Sequence, residues 1–173
     1  PRLDNIQKKG YVLEFGHLSR DKGTDTLLEV AKKMPNTEFV FIGYGPSVDK
    51  MKDIPNVKYL GFKTGEELYR IIAEAAISVC PSEWYENCPY SVMESVLLDT
   101  PVVGSKMGGI PELIEAGKTG ELFEAGNVEE LMKAIQKILH TPDTLGKYTD
   151  NCKLVQYETT ESYYEKLIRI YQG

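Results

Sequence analysis

The run Ile77-Ser-Val-Cys80 leads directly into Pro81-Ser-Glu-Trp-Tyr-Glu-Asn-Cys-Pro-Tyr-Ser-Val-Met-Glu94. A short β-rich segment therefore passes through a polar loop into a helix that opens near Asn87-Cys88-Pro89. Asn87 or Cys88 suits the N-cap, and Pro89 suits an early helical position, where its missing N–H costs nothing. The unpaired N–H groups around Tyr90, Ser91 and Val92 then point toward the strand end and favour an anion. Two carboxylates flank this terminus, Glu86 before it and Glu94 in the second turn. A carboxylate placed there accepts hydrogen bonds from paired hydroxyls such as those of sugars and riboses, although either acid also fits an ordinary surface position.

The same strand-then-helix grammar repeats on both sides of this stretch. Tyr11–Phe15, Glu38–Ile42, Val57–Leu60 and Pro101–Val103 are further β-rich runs, and Gly16, Gly43, Gly61 and Gly104 follow them. After Gly23, the positions Leu27, Leu28, Ala31 and Met34 define one helical face. Thr26 and Glu29 have capping-box spacing, with Thr24 an equally good N-cap. Strands alternating with helices through short connections imply βαβ units and a parallel sheet covered on both faces. From about Val128 the chain turns helical. Val128, Leu131, Ala134, Ile135, Ile138 and Leu139 share one face, and a last helix over Tyr163–Tyr171 carries Tyr164, Leu167, Ile168 and Tyr171 on one side. The reading is one Rossmann-like, doubly wound α/β domain over residues 11–173, with residues 1–10 as a linker or cut end.

Open parallel sheets bind ligands beyond the carboxyl ends of their strands. Three more segments fall there. In Gly16-His-Leu-Ser-Arg-Asp-Lys-Gly23, glycines bracket His17, Arg20 and Lys22 just before a helix, a setting suited to phosphate. Gly43 and Gly45 in Gly43-Tyr-Gly-Pro46 allow a sharp turn or the close approach of a ligand, and so does the Gly108-Gly109 pair before Glu112. Each of these segments also reads as a plain turn or solvated loop.

Composition limits the partners. With 173 residues, 42% of them hydrophobic, the chain fills one core. A net charge of −6 argues against nucleic acid. No apolar run spans a bilayer, and no signal or lipidation motif stands at the start. Three cysteines without metal-ligand spacing read as reduced, buried thiols, and two histidines leave little for a metal centre.

Together the four segments resemble the C-terminal, donor-binding domain of retaining glycosyltransferases of family 4, in the GT-B class. The family's G-R-L-x-x-x-K-G is similar to Gly16–Gly23 and its G-x-G-P to Gly43–Pro46. Its P-S-x-x-E-x-x-P-x-x-x-x-E-A, with the E-x7-E signature, resembles Pro81–Ser95, and its G-x-P-V-V…G-G-x-x-E resembles Asp99–Glu112. The resemblance implies a nucleotide-diphosphate sugar as donor, UDP- or GDP-linked, no metal and no cofactor. It implies Glu94 on the ribose hydroxyls, Glu86 beside the transferred sugar as the catalytic-site acid, and Lys22 on the diphosphate with the amides near Tyr90 and Ser91. It also implies that Gly108 and Gly109 leave space along the donor and that Leu60–Lys63 lies near the base. Retention of configuration, usually ascribed to front-face attack, belongs to the same family picture. Two positions depart from it. His17 stands where an arginine is usual, so that Arg20 substitutes or His17 itself carries charge, and Asp99 replaces a glycine while tolerating the left-handed conformation. The acceptor belongs to a second, N-terminal half, without which this domain is expected to bind donor but not transfer it. A cytoplasmic setting, with peripheral contact at the inner membrane face through that half, and a polysaccharide or glycolipid pathway complete the expectation. A sugar-nucleotide epimerase half-domain and a flavodoxin-like nucleotide-binding module are the alternatives.

Overall fold

Strand and helix signals alternate because apolar residues switch from period two to a helical period along the chain. The computed structural model follows that alternation and describes residue 3 and residues 6–141, 143–157 and 160–172. In chain order the elements are β1 (Val12–His17), α1 (Thr24–Lys33), β2 (Phe39–Tyr44), a short 3-10 turn (Val48–Met51), β3 (Val57–Tyr59), α2 (Gly65–Glu74) and β4 (Ile77–Cys80). There follow α3 (Tyr90–Leu97), β5 (Val102–Ser105), α4 (Ile110–Leu113), β6 (Gly120–Phe123), α5 (Val128–His140), α6 (Thr144–Cys152) and α7 (Thr160–Gln172). All strand pairs are parallel, in the order β3-β2-β1-β4-β5-β6. The order reverses between β1 and β4, where the crevice of a doubly wound sheet opens.

Side chains alternate across each strand and build a core on both faces. Phe39 and Phe41 of β2 join Val12, Leu27, Ala31, Phe123, Leu131 and Ile135 beneath α1 and α5. Val40 and Ile42 of the same strand join Leu13, Ile72 and Ala73 beneath α2. Val92 and Val96 of α3 pack with Val102, Ile110 and Ile114. Each fully buried Phe or Leu contributes about 1.5–3 kcal/mol relative to exposure. The first residues also pack here: Leu3 and Ile6 lie against the α2 side, and the Lys8 ammonium donates to Thr100 Oγ1 at 2.7 Å.

Several local expectations need correction. Gly23, at φ 79, is the N-cap of α1, and no side chain caps that helix. Thr24 Oγ1 instead donates to Glu14 and Thr26 Oγ1 to Glu83, so tertiary partners take both candidate capping hydroxyls. Pro89, in extended conformation, is itself the N-cap of α3 in place of Asn87 or Cys88. The strand β6 and the helix α6 add to the elements read from sequence. Asp99 adopts φ 58, so the turn after α3 keeps its left-handed residue without glycine. Among the described residues no helix is long and apolar enough to cross a membrane.

Candidate functional site

A cavity of about 430 Å³ opens at the β1/β4 switch point. The end of β1 supplies Glu14, Gly16 and His17, and the following loop supplies Lys22. The loop after β4 gives Ser82 and Glu86, and the start of α3 gives Tyr90, Ser91 and Glu94. The far wall holds Gly43 and Tyr44 from the end of β2, with Phe62 and Lys63 beyond β3.

Glycines set these segments against one another. A Cβ on Gly23 would sit inside the Pro81 carbonyl, so the start of α1 lies directly on the end of β4. That approach brings Lys22 Nζ within 2.6 Å of Glu86 Oε1, with the two side chains 33% and 18% exposed. Ser82 Oγ donates to the same carboxylate oxygen at 2.8 Å. Ser82 is buried, and its own carbonyl accepts from Ser105 Oγ at 2.6 Å. The loop bearing Glu86 is thus held by β5 as well as by Lys22.

Gly108 and Gly109 serve the same loop. A Cβ at either position would overlap the backbone of Glu86 or Asn87, and Gly109 N–H donates to Glu86 O at 2.7 Å. The space that the sequence reading kept for a donor is here filled by the Glu86–Asn87 backbone, and neither glycine lines the cavity. Gly45 likewise accommodates the Leu18 carbonyl, and Gly43 the Gly16 carbonyl. Gly16 is different: it lines the cavity at φ +127, and a Cβ there would meet nothing within 4 Å.

Helix α3 offers the cavity an N-terminus without a side-chain cap. Val92 N–H turns back to Pro89 O, while the Tyr90 and Ser91 amides precede the intrahelical ladder. The helix is docked from below by Ser95 Oγ, which donates to Ser91 O at 2.7 Å and accepts from Ser78 Oγ at 2.8 Å. Glu94, one turn in, is half-buried, and burial raises its carboxyl above the ordinary range. It has neither a hydrogen bond nor an ion-pair partner among the described residues. Burial also pushes the Cys80 thiol up to about 12, which makes it an inert wall.

Not every expected residue is brought here. His17 reaches the rim, where its ring meets Tyr44 edge-on at 5.4 Å, and Tyr44 meets Phe62 at 5.9 Å. Arg20 turns away into a second groove of about 410 Å³ with Asp25, Thr26, Lys50 and Glu83, so the substitution of Arg20 for His17 at one cluster is not what the fold provides. Lys63 and Phe62, from the Leu60–Lys63 segment, do line the cavity. Glu14, Ser82 and Tyr44 are lining residues that sequence reasoning passed over. Only Glu14 carried a usable signal, an acid inside an apolar strand run. No cluster of three or more His, Cys, Asp or Glu side chains suited to a metal occurs among the described residues.

The family model described as glycosyl transferases group 1 matches residues 2–155. A sulfoquinovosyl transferase of Arabidopsis thaliana is 33% identical over 151 residues, which are 83% of this chain and 29% of that protein. The amylovoran biosynthesis glycosyltransferase AmsK of Erwinia amylovora is 32% identical over 135 residues, 69% of this chain and 33% of its own length. The solved structure of HepE from Anabaena in complex with UDP superposes with a TM-score of 0.82 at 21% identity, over 95% of this chain and 49% of HepE. The chain thus spans about a third of those two relatives and about half of HepE. The match over most of the chain, on a sheet whose signature glutamates line one switch-point cavity, gives the family: this chain belongs to the group 1 glycosyl transferases.

Proposed function

We propose that the chain is the donor-binding domain of a glycosyltransferase and that its cavity holds a nucleotide-diphosphate sugar. The observation that carries this reading is the convergence of Lys22, Glu86, Glu94 and the uncapped N-terminus of α3 on one cavity at the sheet's switch point. Glu94, half-buried and without a partner among the described residues, accepts from the ribose hydroxyls, and the Tyr90 and Ser91 amides meet the diphosphate. Lys22 leaves Glu86 for a phosphate oxygen, and Glu86 is then free to accept from hydroxyls of the sugar. Trading one acid for another lets nucleotide and sugar be engaged in a single step. His17 stands at the rim beside that path. In transfer, the cation and the helix N-terminus stabilise charge that develops on the departing diphosphate. The UDP bound in HepE supports this choice of ligand.

The acceptor is held by a further domain of the whole protein, in keeping with the fraction of its relatives that this chain spans. Catalysis of transfer then requires two walls that orient the acceptor hydroxyl and exclude water. The test is a thermal-shift screen of this chain against UDP- and GDP-linked sugars, because a ligand selective for the folded state raises its stability. The reading expects at least one of them to raise the melting temperature, in the presence or absence of chelator. No shift with any nucleotide would overturn it, and multiple-turnover transfer by this chain alone would overturn the need for a second domain.

A further inference from the structure

The chemistry of the switch-point cavity is sorted from one side to the other. Lys22, Ser82 and Glu86 stand with β4 and the loops at its end, and Tyr90, Ser91 and Glu94 with α3. The opposite wall, at the ends of β2 and β3, presents Tyr44 and Phe62 together with Ile42 and Leu68. Strands β2 and β4 flank β1, so the two walls are two strand spacings, about 10 Å, apart. A nucleoside diphosphate is sorted in the same way. It carries charge at one end, a flat ring with apolar faces at the other, and a hydroxyl-bearing sugar between them.

The aromatic wall is built by strand register. Tyr44 is the partner of His17 across the β1/β2 pair, and their rings meet at 5.4 Å and 72°. Gly43 N–H donates to Gly61 O at 2.9 Å, which prolongs the β2/β3 pairing past the last residue of β3. The next residues along the two segments are Tyr44 and Phe62, and their rings meet at 5.9 Å and 60°. Edge-to-face contacts of this kind let each ring orient its neighbour. Tyr59 Oη, donating to Gly43 O at 2.8 Å, ties the turn that carries Tyr44 to β3. Yet Tyr44 and Phe62 remain 60% and 65% exposed. Two large rings, oriented by one another and left to solvent along a cavity, are surface kept for a ligand. His17 belongs to this ladder by its ring contact, whereas Lys22 pairs with Glu86.

We propose that Tyr44 and Phe62 are the residues on which the nucleobase of the donor stacks, and that His17 is a positioning residue for Tyr44 and not a phosphate ligand. The inference rests on the donor-site reading and deepens it. With the diphosphate at Lys22 and the start of α3, and the ribose at Glu94, the part of the cavity left for the base is the Tyr44–Phe62 wall. Stacking asks only for a π-face, which every base has, so the wall supplies affinity for uridine and guanosine alike. It also gives His17 a role that its place in the sequence did not suggest: it acts on the base end of the ligand, through Tyr44.

Calorimetric titration of the chain with UDP, GDP, uridine and guanosine tests this, together with proton NMR of the uracil H5 and H6 resonances on binding. All three side chains are exposed, so their variants should fold. Tyr44→Ala and Phe62→Ala should each weaken all of these ligands roughly tenfold, the scale of one stacking contact, and Tyr44→Phe and Phe62→Tyr should stay within about twofold of the parent. Uracil H5 and H6 should move upfield when UDP binds the parent, as ring currents require over an aromatic face, and the shift should vanish in the double alanine variant. His17→Ala should cost about threefold, equally for UDP and uridine, and His17→Phe should restore the loss. Parental affinity in either alanine variant overturns the role of that ring, and bound uracil without an upfield shift overturns stacking altogether. A loss in His17→Ala confined to the diphosphates would make His17 a phosphate ligand and overturn its positioning role. Failure of the parent to bind any of these ligands overturns the donor-site reading instead.

Discussion

Two grooves of nearly equal volume, about 430 and about 410 Å³, flank the segment that leads into α1. Volume does not tell them apart, but the state of their polar groups does. In the second groove, Asp25 accepts from both Ser47 and Lys50, and Thr26 donates to Glu83. Its charges answer one another, and a ligand entering there would displace bonds already made. In the first cavity, among the described residues, Glu94 has no partner and Glu14 leaves one oxygen unmatched, while Lys22 and Glu86 are paired at the cavity wall. Unmet hydrogen-bonding capacity in a partly desolvated place distinguishes a binding site from a folded surface.

The contrast is tested most severely at Lys22. Lys22→Ala should weaken nucleoside diphosphate binding by roughly 10- to 100-fold, the scale of one charge-assisted hydrogen bond, and leave nucleoside binding nearly unchanged. Calorimetry with both ligands checks this, and an equal loss for both would take Lys22 off the phosphates. Glu94→Ala sharpens the contrast from the other end of the ligand. It should cost roughly tenfold for diphosphate and nucleoside alike, because the ribose is common to both, and Glu94→Gln should lose only part of that. Unchanged affinity in a folded Glu94→Ala chain would make Glu94 an ordinary helix residue. The smallest effect belongs to the second groove: Arg20→Ala should alter nucleotide affinity by no more than about twofold, as expected for an exposed charge at a distance. A loss matching that of Lys22→Ala would place both grooves in one site.

Much of this arrangement could be read before any coordinates, for identifiable reasons. Ile77–Cys80 coincides with β4, and the other four strand readings fall within a few residues of β1, β2, β3 and β5, because buried parallel strands are nearly continuous apolar runs. Strand β6 escaped because Gly120-Glu-Leu-Phe123 is four residues long and follows a turn with no alternation of its own. The capping box at Thr26 and Glu29 failed because hydroxyls read locally were taken by carboxylates from other parts of the chain, Glu14 and Glu83. The signature acids Glu86 and Glu94 were legible from spacing around a helix start. The role of Gly108 and Gly109 was not, since a glycine pair admits a ligand and another stretch of backbone equally well. Arg20 was not placed by sequence because its loop runs between two grooves, and tertiary contacts such as Gly23 against Pro81 and Glu83 N–H on Asp21 O set which side faces the switch point. Glu14 was visible only as a lone acid within the apolar run of β1.

The Lys22–Glu86 ion pair bears on how the chain responds to ionic strength. A lysine waiting in water and then meeting a phosphate adds one attraction that salt can screen. A lysine that gives up a carboxylate to reach the phosphate exchanges one screened attraction for another, and the two dependences largely cancel. Affinity for a nucleoside diphosphate should therefore fall with added salt less steeply than the number of cations around the cavity suggests. Loss of Lys22 should lower that affinity while leaving its salt slope almost as it was.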